Sequence, residues 1–379
     1  MKLPPTSPRK LILLNPYHKG SHAAFADSVA EMLQSDGAWQ VHTWTLPGAH
    51  WKWRMQGAAA HFAHELAEVS DADVIMTTDM CDVSRLRGLL PAPLREVPIV
   101  MYCHENQLTF PWSAGDPDVA QRIDLTYGMT NVMSALASDQ IWFNSHFHLS
   151  TFIAAAKDLM KKMPDAHIDL NHFEAKARVM YLPLPLRKRF GSGETLSLDR
   201  PMGRPVRILW NHRWSIDKGI DRFMGYLDAV AAAGIDFELI LLGVGSSHAE
   251  SGWIESFNKW RHCILHQGQL DNLADYGHWL KQTDILLHDP RQEFFGISVV
   301  EAMWHGVLPI LPPSGPYPEY VPAEMVTKLP IARIEEWHDL SPTQIRSMRQ
   351  KVSTSVTQFC HTTQQNIWSR QLQGLSIRS

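Results

Sequence analysis

Cysteine is scarce in this chain of 379 residues. The four present (Cys81, Cys103, Cys263, Cys360) include no CxxC pair. That spacing argues against a disulfide framework or a zinc knuckle and fits a reducing compartment. Long apolar runs are also missing. Leu11–Leu14 and Ile285–Leu287 fall far short of the roughly 18 residues of a membrane span. Pro4, Pro5 and Pro8 precede a short apolar run ending at Asn15, unlike the core of a signal peptide. A cytoplasmic protein without membrane attachment is expected. No strong charge of one sign is present: the formal net charge is −4 with 20 His counted neutral. Nothing therefore drives the whole molecule toward nucleic acid, and an RNA partner would need a local patch. There is no repeat of fixed period and no low-complexity tract.

With 45% hydrophobic and 20% charged residues, the chain is globular. Its length suits two domains of about 100–200 residues each. Short apolar runs alternate with helical stretches, the sign of parallel βα units. Strands are predicted at Leu11–Leu14, Gln40–Trp44, Val74–Thr77, Pro98–Cys103, Gln140–Phe143 and Arg178–Leu182. Helical spacing runs through Ala23–Leu33, Met55–Ala67, Asp124–Ala137 and Ser145–Ala156. Pro183-Leu-Pro185, the basic run Arg187–Arg189 and the Gly/Pro-rich stretch to Pro205 read as a linker. The rhythm restarts with strands at Arg207–Asn211, Phe237–Leu242, Cys263–Gln267, Ile285–His288 and Val307–Leu311. Residues 1–185 thus form a first, acceptor-side domain, 186–205 a linker and 206–335 a second domain. Residues 336–379 form a helical tail able to pack back on the first domain. The fold class is α/β, two doubly wound Rossmann-like sheets, with ligands expected at the strand C-termini in a cleft between domains.

The most informative segment is Glu293-Phe-Phe-Gly-Ile-Ser-Val-Val-Glu301. It follows a buried strand and opens a helix whose apolar face is Val299, Val300 and Met303. Gly296 permits close backbone approach, and the first free N–H groups of the helix can receive a phosphate. Glu301 lies about one turn inside, within reach of ribose hydroxyls, and Glu293 within reach of an attached sugar. Both also fit an exposed loop acid and a helix-face charge, since acids early in a helix favour its dipole. Upstream, Asn211-His-Arg213-Trp-Ser-Ile-Asp-Lys218-Gly219 sets Arg213 past a strand and Lys218 before a helix. Two cations there neutralise a departing diphosphate without a divalent metal. Gly243-Val-Gly245 after a strand is weak support for a dinucleotide site, lacking the third glycine.

Glu293 and Glu301 at this spacing, with Arg213 and Lys218 upstream, resemble the donor site of family-4 retaining glycosyltransferases of the GT-B fold. The resemblance implies a nucleotide-sugar donor held mainly by the second domain with no metal or other cofactor. It implies Arg213 and Lys218 on the diphosphate, Glu293 on the donor sugar and Glu301 on the ribose. Backbone groups of Phe295, Gly296 and Ile297 would line phosphate and sugar. The first half narrows the match. Its Gly20-Ser-His loop, Trp51-Lys-Trp53-Arg54, His104-Glu-Asn106-Gln107 and Phe143-Asn-Ser motifs join His212-Arg-Trp and Glu293-Phe-Phe-Gly. Together they resemble the tRNA-queuosine α-mannosyltransferase family from the first strand to about Pro322. What this implies is mannose transfer from GDP-mannose to queuosine in a tRNA anticodon loop.

Under that resemblance Gly20 lets a donor phosphate approach, although the loop reads Lys19-Gly20 where the family often pairs glycines. His104 meets the donor sugar or an acceptor hydroxyl, or is a plain structural histidine. A metal role is disfavoured, because adjacent strand residues point to opposite faces and no second histidine has ligand spacing. Trp51, Trp53, Arg54, Asn106 and Gln107 are candidates for acceptor contact, since exposed RNA bases stack on indoles beside cations. The same tryptophans equally fit core anchors, with Lys52 and Arg54 facing water. The basic stretches Lys157–Lys162 and Arg187–Arg189 fit solvated faces or rests for tRNA phosphates. No obligate protein partner is evident. Two rival functions remain open. One is a glycosyltransferase with another hexose or a lipid, glycan or metabolite acceptor, although Ala23–Leu33 has no Lys or Arg to favour a lipid surface. The other is a nucleotide-sugar-binding or RNA-binding protein without turnover.

Overall fold

The computed structural model describes residues 7–112, 115–163, 170–191, 204–243, 257–338 and 340–375. The chain forms two compact units, Met1–Leu184 with His361–Ser379, and Pro185–Cys360. In the first, six strands make one parallel sheet: β1 (Arg9–His18), β2 (Trp39–Pro47), β3 (Val74–Thr78), β4 (Ile99–Cys103), β5 (Gln140–Phe143) and β6 (Ala177–Val179). Their order is β2-β1-β3-β4-β5-β6. Every residue of β3 and β4 is buried, as expected of inner parallel strands covered on both faces. β2 lies at the edge and exposes much of its length. β1 pairs with both β2 and β3, so the strand order reverses there.

The helix His361–Gln373 belongs to this first unit. Its anchor is Trp368, fully buried, tilted 5.6 Å from Tyr102 and edge-on to Trp142 at 5.2 Å. The Trp368 indole N–H donates to the Tyr181 carbonyl at 3.1 Å. From Pro342 onward the expected helical tail consists of two helices, Pro342–Ser355 and His361–Gln373. Pro342–Ser355 starts in a capping box made by Ser341 and Gln344, and a 3-10 turn at Val356–Phe359 separates it from the next. Ser353-Thr-Ser-Val-Thr357 explains the break, because these side chains compete with or crowd the helical backbone. The chain changes unit between Cys360 and His361, so residues 336–360 belong with the second unit. The expected linker also starts differently: Leu186–Phe190 is helical and part of the second unit, while 192–203 lie outside the described residues.

The second unit has β7 (Val206–Trp210), β8 (Phe237–Leu242), β9 (Ile264–Gly268), β10 (Ile285–Leu287) and β11 (Leu308–Ile310), all parallel, ordered β11-β10-β7-β8-β9. The order reverses between β7 and β10, which makes their C-terminal ends the switch point where such sheets take ligands. At the opposite end Asp284 accepts from both Arg204 guanidinium nitrogens (2.7 and 2.8 Å), from Arg349 (2.8 Å) and from the Arg207 amide (2.9 Å). That buried acid ties the starts of β7 and β10 to the helix Pro342–Ser355. Among the described residues no helix is long and apolar enough to cross a membrane.

Gly219 lets the loops after β7 and β10 meet. Its φ is +71°, and a Cβ there would lie 2.2 Å from the Asp289 carbonyl oxygen. Gly219→Ala therefore combines left-handed strain, about 1–2 kcal/mol, with a backbone collision. Urea denaturation should show the second unit destabilised by more than about 1 kcal/mol. Gly225→Ala is the contrast. Gly225 sits in the helix Ile220–Ala232 with open space around a Cβ, and its replacement should stabilise by about 0.5–1 kcal/mol.

Candidate active site

At the switch point of the second unit, Arg213 leaves the end of β7 and Lys218 ends the short 3-10 turn Ile216–Lys218. The Lys218 ammonium donates to Glu293 Oε2 at 2.8 Å and lies 3.5 Å from Asp217 Oδ2. Burial works against its charge, but Glu293 and Asp217 outweigh that and hold its pKa above the ordinary lysine value. Lys218 is thus a fixed cation. Arg213 differs: its side chain is 68% exposed and makes one 3.2 Å contact with Asp217.

Gly296, with φ +87°, is the N-cap of the helix Ile297–Trp304, and no side chain caps that end. Its first amides have no intrahelical acceptor, so they and the helix dipole favour an anion. A Cβ on Gly296 would meet the Tyr320 hydroxyl at 3.2 Å. That hydroxyl donates to the Phe295 carbonyl at 2.6 Å, which fixes the turn. The Phe295 ring packs edge-on against Phe359 at 4.9 Å. Glu301, one turn in, is buried. Arg189 pairs with one of its oxygens and the Tyr276 hydroxyl donates to the other at 2.9 Å. Burial raises its pKa, partly offset by Arg189 and Tyr276. Arg189 therefore serves the interior of the second unit rather than an RNA phosphate, a correction to the reading of the basic run. In the other basic stretch, Lys157 pairs with Glu174 and Lys161 with Asp158. Of the Gly243-Val-Gly245 segment only Gly243 is described; a Cβ on it would lie 2.4 Å from the His212 carbonyl.

Sequence reasoning missed a buried histidine pair at the same point. His212, after β7, and His288, after β10, stack with centroids 3.6 Å apart at 16°. His212 Nδ1 meets Ser298 Oγ at 2.8 Å. His212 Nε2 and both His288 nitrogens have no hydrogen-bond partner among the described residues. Burial and then Lys218 push the His212 pKa well below the usual histidine value, and burial, then His212 and Lys218, do the same for His288. Their signal was a histidine within two residues of the end of each apolar strand.

In the first unit His104 follows β4 and is 9% exposed. Its amide donates to Asp79 Oδ1 at 2.8 Å and its carbonyl accepts from Asn144 at 2.9 Å. Phe25, Tyr102 and His22 surround the ring at 4.3, 5.0 and 4.7 Å. Burial, then His22 and His148, push its pKa well below the usual histidine value. Its Nε2 has no protein partner among the described residues, so a neutral imidazole can exchange a hydrogen bond with a hydroxyl. Asp79, also missed, directly follows β3. Burial and then the Glu105 charge raise its pKa well above the carboxylate range. Gly20 has φ +56° at the start of the helix Gly20–Gln34, with nothing within 4 Å of where a Cβ would sit. Asn106 and Gln107 are buried and shape the loop. Asn106 Oδ1 accepts from the Thr109 backbone N–H and hydroxyl, and the Gln107 backbone N–H donates to Asn131 Oδ1.

The Trp51–Arg54 motif opens the helix Trp51–Glu65 and divides its tryptophans. Trp51 packs at 5.5 Å from Trp112 and 5.2 Å from Tyr127. Lys52 does not face water freely; it bridges Asp116 at 2.8 Å and Asp118 at 2.6 Å. Trp53 is 77% exposed and so is no core anchor.

Neutral buried histidines have a measurable sign. The unfolded chain protonates near the ordinary pKa of about 6.5, whereas His148 in the folded protein is pushed down by burial to about 3. Below about pH 6.5 the unfolded state binds the extra proton, so stability falls as pH falls toward 3. His148→Gln should reduce the slope of unfolding free energy against pH, between about 6 and 4, by up to about 1.4 kcal/mol per unit. An unchanged slope in denaturation curves would show that His148 is not held neutral.

Residues 10–184 match the family described as tRNA-queuosine alpha-mannosyltransferase N-terminal, and residues 202–333 match Glycosyl transferases group 1. A Drosophila melanogaster protein named tRNA-queuosine alpha-mannosyltransferase is 28% identical over 322 residues, 83% of this chain and 82% of that protein. Among solved structures, sucrose-phosphate synthase from Thermosynechococcus elongatus aligns with TM-score 0.69 at 15% identity, over 96% of this chain and 98% of that one. HepE from Anabaena, solved with UDP and glucose, gives TM-score 0.64 at 15% identity, over 97% and 100%. At such identities these structures establish the fold, which is GT-B. Residues 10–184 thus carry the N-terminal domain described for tRNA-queuosine alpha-mannosyltransferases, residues 202–333 a group 1 glycosyltransferase domain, and the chain is a glycosyltransferase.

Proposed function

We propose that this protein transfers mannose from GDP-mannose to queuosine in the anticodon loop of tRNA, with retention at the anomeric carbon and without a metal. The observation that carries the donor half is the Lys218–Glu293 pair beside Arg213 and the uncapped, Gly296-headed helix. Two cations and a helix N-terminus offer a diphosphate the charge stabilisation that a metal supplies elsewhere. In this reading Glu293 orients Lys218 and meets donor-sugar hydroxyls. Each Glu301 oxygen already has one partner but keeps a second lone pair for a ribose hydroxyl. The acceptor half rests on the family match across residues 10–184.

The bond from the anomeric carbon to the diphosphate oxygen breaks, and the acceptor oxygen bonds to the same face of that carbon. The acceptor proton passes to the departing phosphate oxygen. Neutral His104 receives a hydrogen bond from a sugar or acceptor hydroxyl.

Labelled GDP-mannose incubated with queuosine-containing tRNA should yield a nucleoside heavier by one hexose, and queuosine-free tRNA should stay unlabelled. Equal labelling of both, or of neither, refutes the assignment. Arg213→Ala should lower turnover roughly 100- to 1000-fold, by analogy with a lost oxyanion donor. Because Arg213 is exposed, its thermal stability should change by no more than about 0.5 kcal/mol. Lys218→Ala should lose activity to a similar degree, with some loss of stability because two carboxylates lose their shared cation.

A further inference from the structure

Between Asp36 and Glu65 the chain has no acidic residue. It has four tryptophans (Trp39, Trp44, Trp51, Trp53), four histidines (His42, His50, His61, His64), Lys52 and Arg54. In a protein of net charge −4 this is a local departure. The structure sorts these residues into anchors and a presented face. Trp39 is core, its indole donating to Ser369 Oγ at 3.1 Å. Trp51 is wedged against Trp112 and Tyr127, and Lys52 is clamped by Asp116 and Asp118. The loop before the helix is equally fixed. His50 holds a left-handed φ of 55°, and a Cβ on Gly48 would lie 2.1 Å from the Lys19 Cβ. The helix start is thereby pressed against the Gly20 loop, at the same C-terminal edge of the parallel sheet as His104.

What points outward from this rigid start is Trp53. Along the same helix Gly57, Ala60, His61 and His64 are also exposed. Spacings of three and four residues place 53, 57, 60, 61 and 64 on one face. The result is one projecting indole, a smooth small-residue track and two imidazoles, with no carboxylate on the helix before Glu65. A protein hot spot would ring such an indole with apolar neighbours. A membrane-binding helix would add lysines and a broad apolar stripe. An acid-free face with a single stacking ring suits unpaired nucleotides, whose bases have a π-face and whose phosphates are repelled by acids.

We propose that this face is the RNA-docking surface of the protein and that Trp53 stacks on an unpaired base of the tRNA anticodon loop. The inference rests on the proposed function for the identity of the RNA. Binding and turnover are therefore read separately, with queuosine-containing tRNA and the full-length protein. Trp53→Ala should weaken tRNA binding, followed by fluorescence anisotropy, roughly 5- to 150-fold. Trp53→Phe should keep most of the affinity. His61→Glu, which places a carboxylate on the exposed face, should weaken binding more at low salt than at high. Tight binding by wild type that Trp53→Ala leaves intact overturns the proposal, as does failure of wild type to bind tRNA. Trp53-dependent binding without mannose transfer would support the surface and refute the reaction.

Discussion

The candidate active site of the second unit depends on one ion pair, the Lys218 ammonium against the Glu293 carboxylate, with Asp217 on its flank. The pair joins the loop after β7 to the loop after β10, across the place where the strand order reverses. Desolvating two opposite charges contributes little net stability. What it does contribute is position: a cation kept charged at neutral pH and aimed by two acids beside a helix N-terminus. Gly219 is the condition for it, because any side chain there would push the two loops apart.

The first unit uses the same architecture with the opposite electrostatics. Its parallel strands also end in a cluster of polar groups, but there burial disfavours the charged forms of His104, His148 and Asp79. Backbone groups orient them: the His104 amide on Asp79, and the His104 carbonyl under Asn144. A charged site suits a diphosphate leaving group. A neutral, desolvated one suits hydroxyls, which need directional hydrogen bonds rather than charge.

Much of this was legible in the chain itself. All eleven expected strands are present, most within a few residues, because inner parallel strands are continuous apolar runs that little else resembles. Gly296 could be read as a phosphate-binding turn because its position after an apolar strand and before a helix is a local pattern. Less legible were groups whose meaning comes from distant neighbours. Arg189 looked like one residue of a solvated basic run, yet it closes on Glu301, 112 positions away. Asp79 and the His212–His288 stack gave only a faint signal, a polar residue after an apolar strand. The break between the two helices of the tail was not legible either, because a Ser/Thr-rich stretch is a weak marker by itself.

By itself the sequence determined the βα rhythm, the two-sheet class and the candidate residues of the second unit's site, since these follow from short-range periodicity and from which side chains carry charge. Only the tertiary structure decided which of those side chains are committed inside and which are presented. Two tryptophans two positions apart have opposite fates, Trp51 packed under Trp112 and Trp53 facing solvent. Burial is a property of the surrounding fold, and desolvation, more than residue type, sets whether an imidazole or carboxyl is charged.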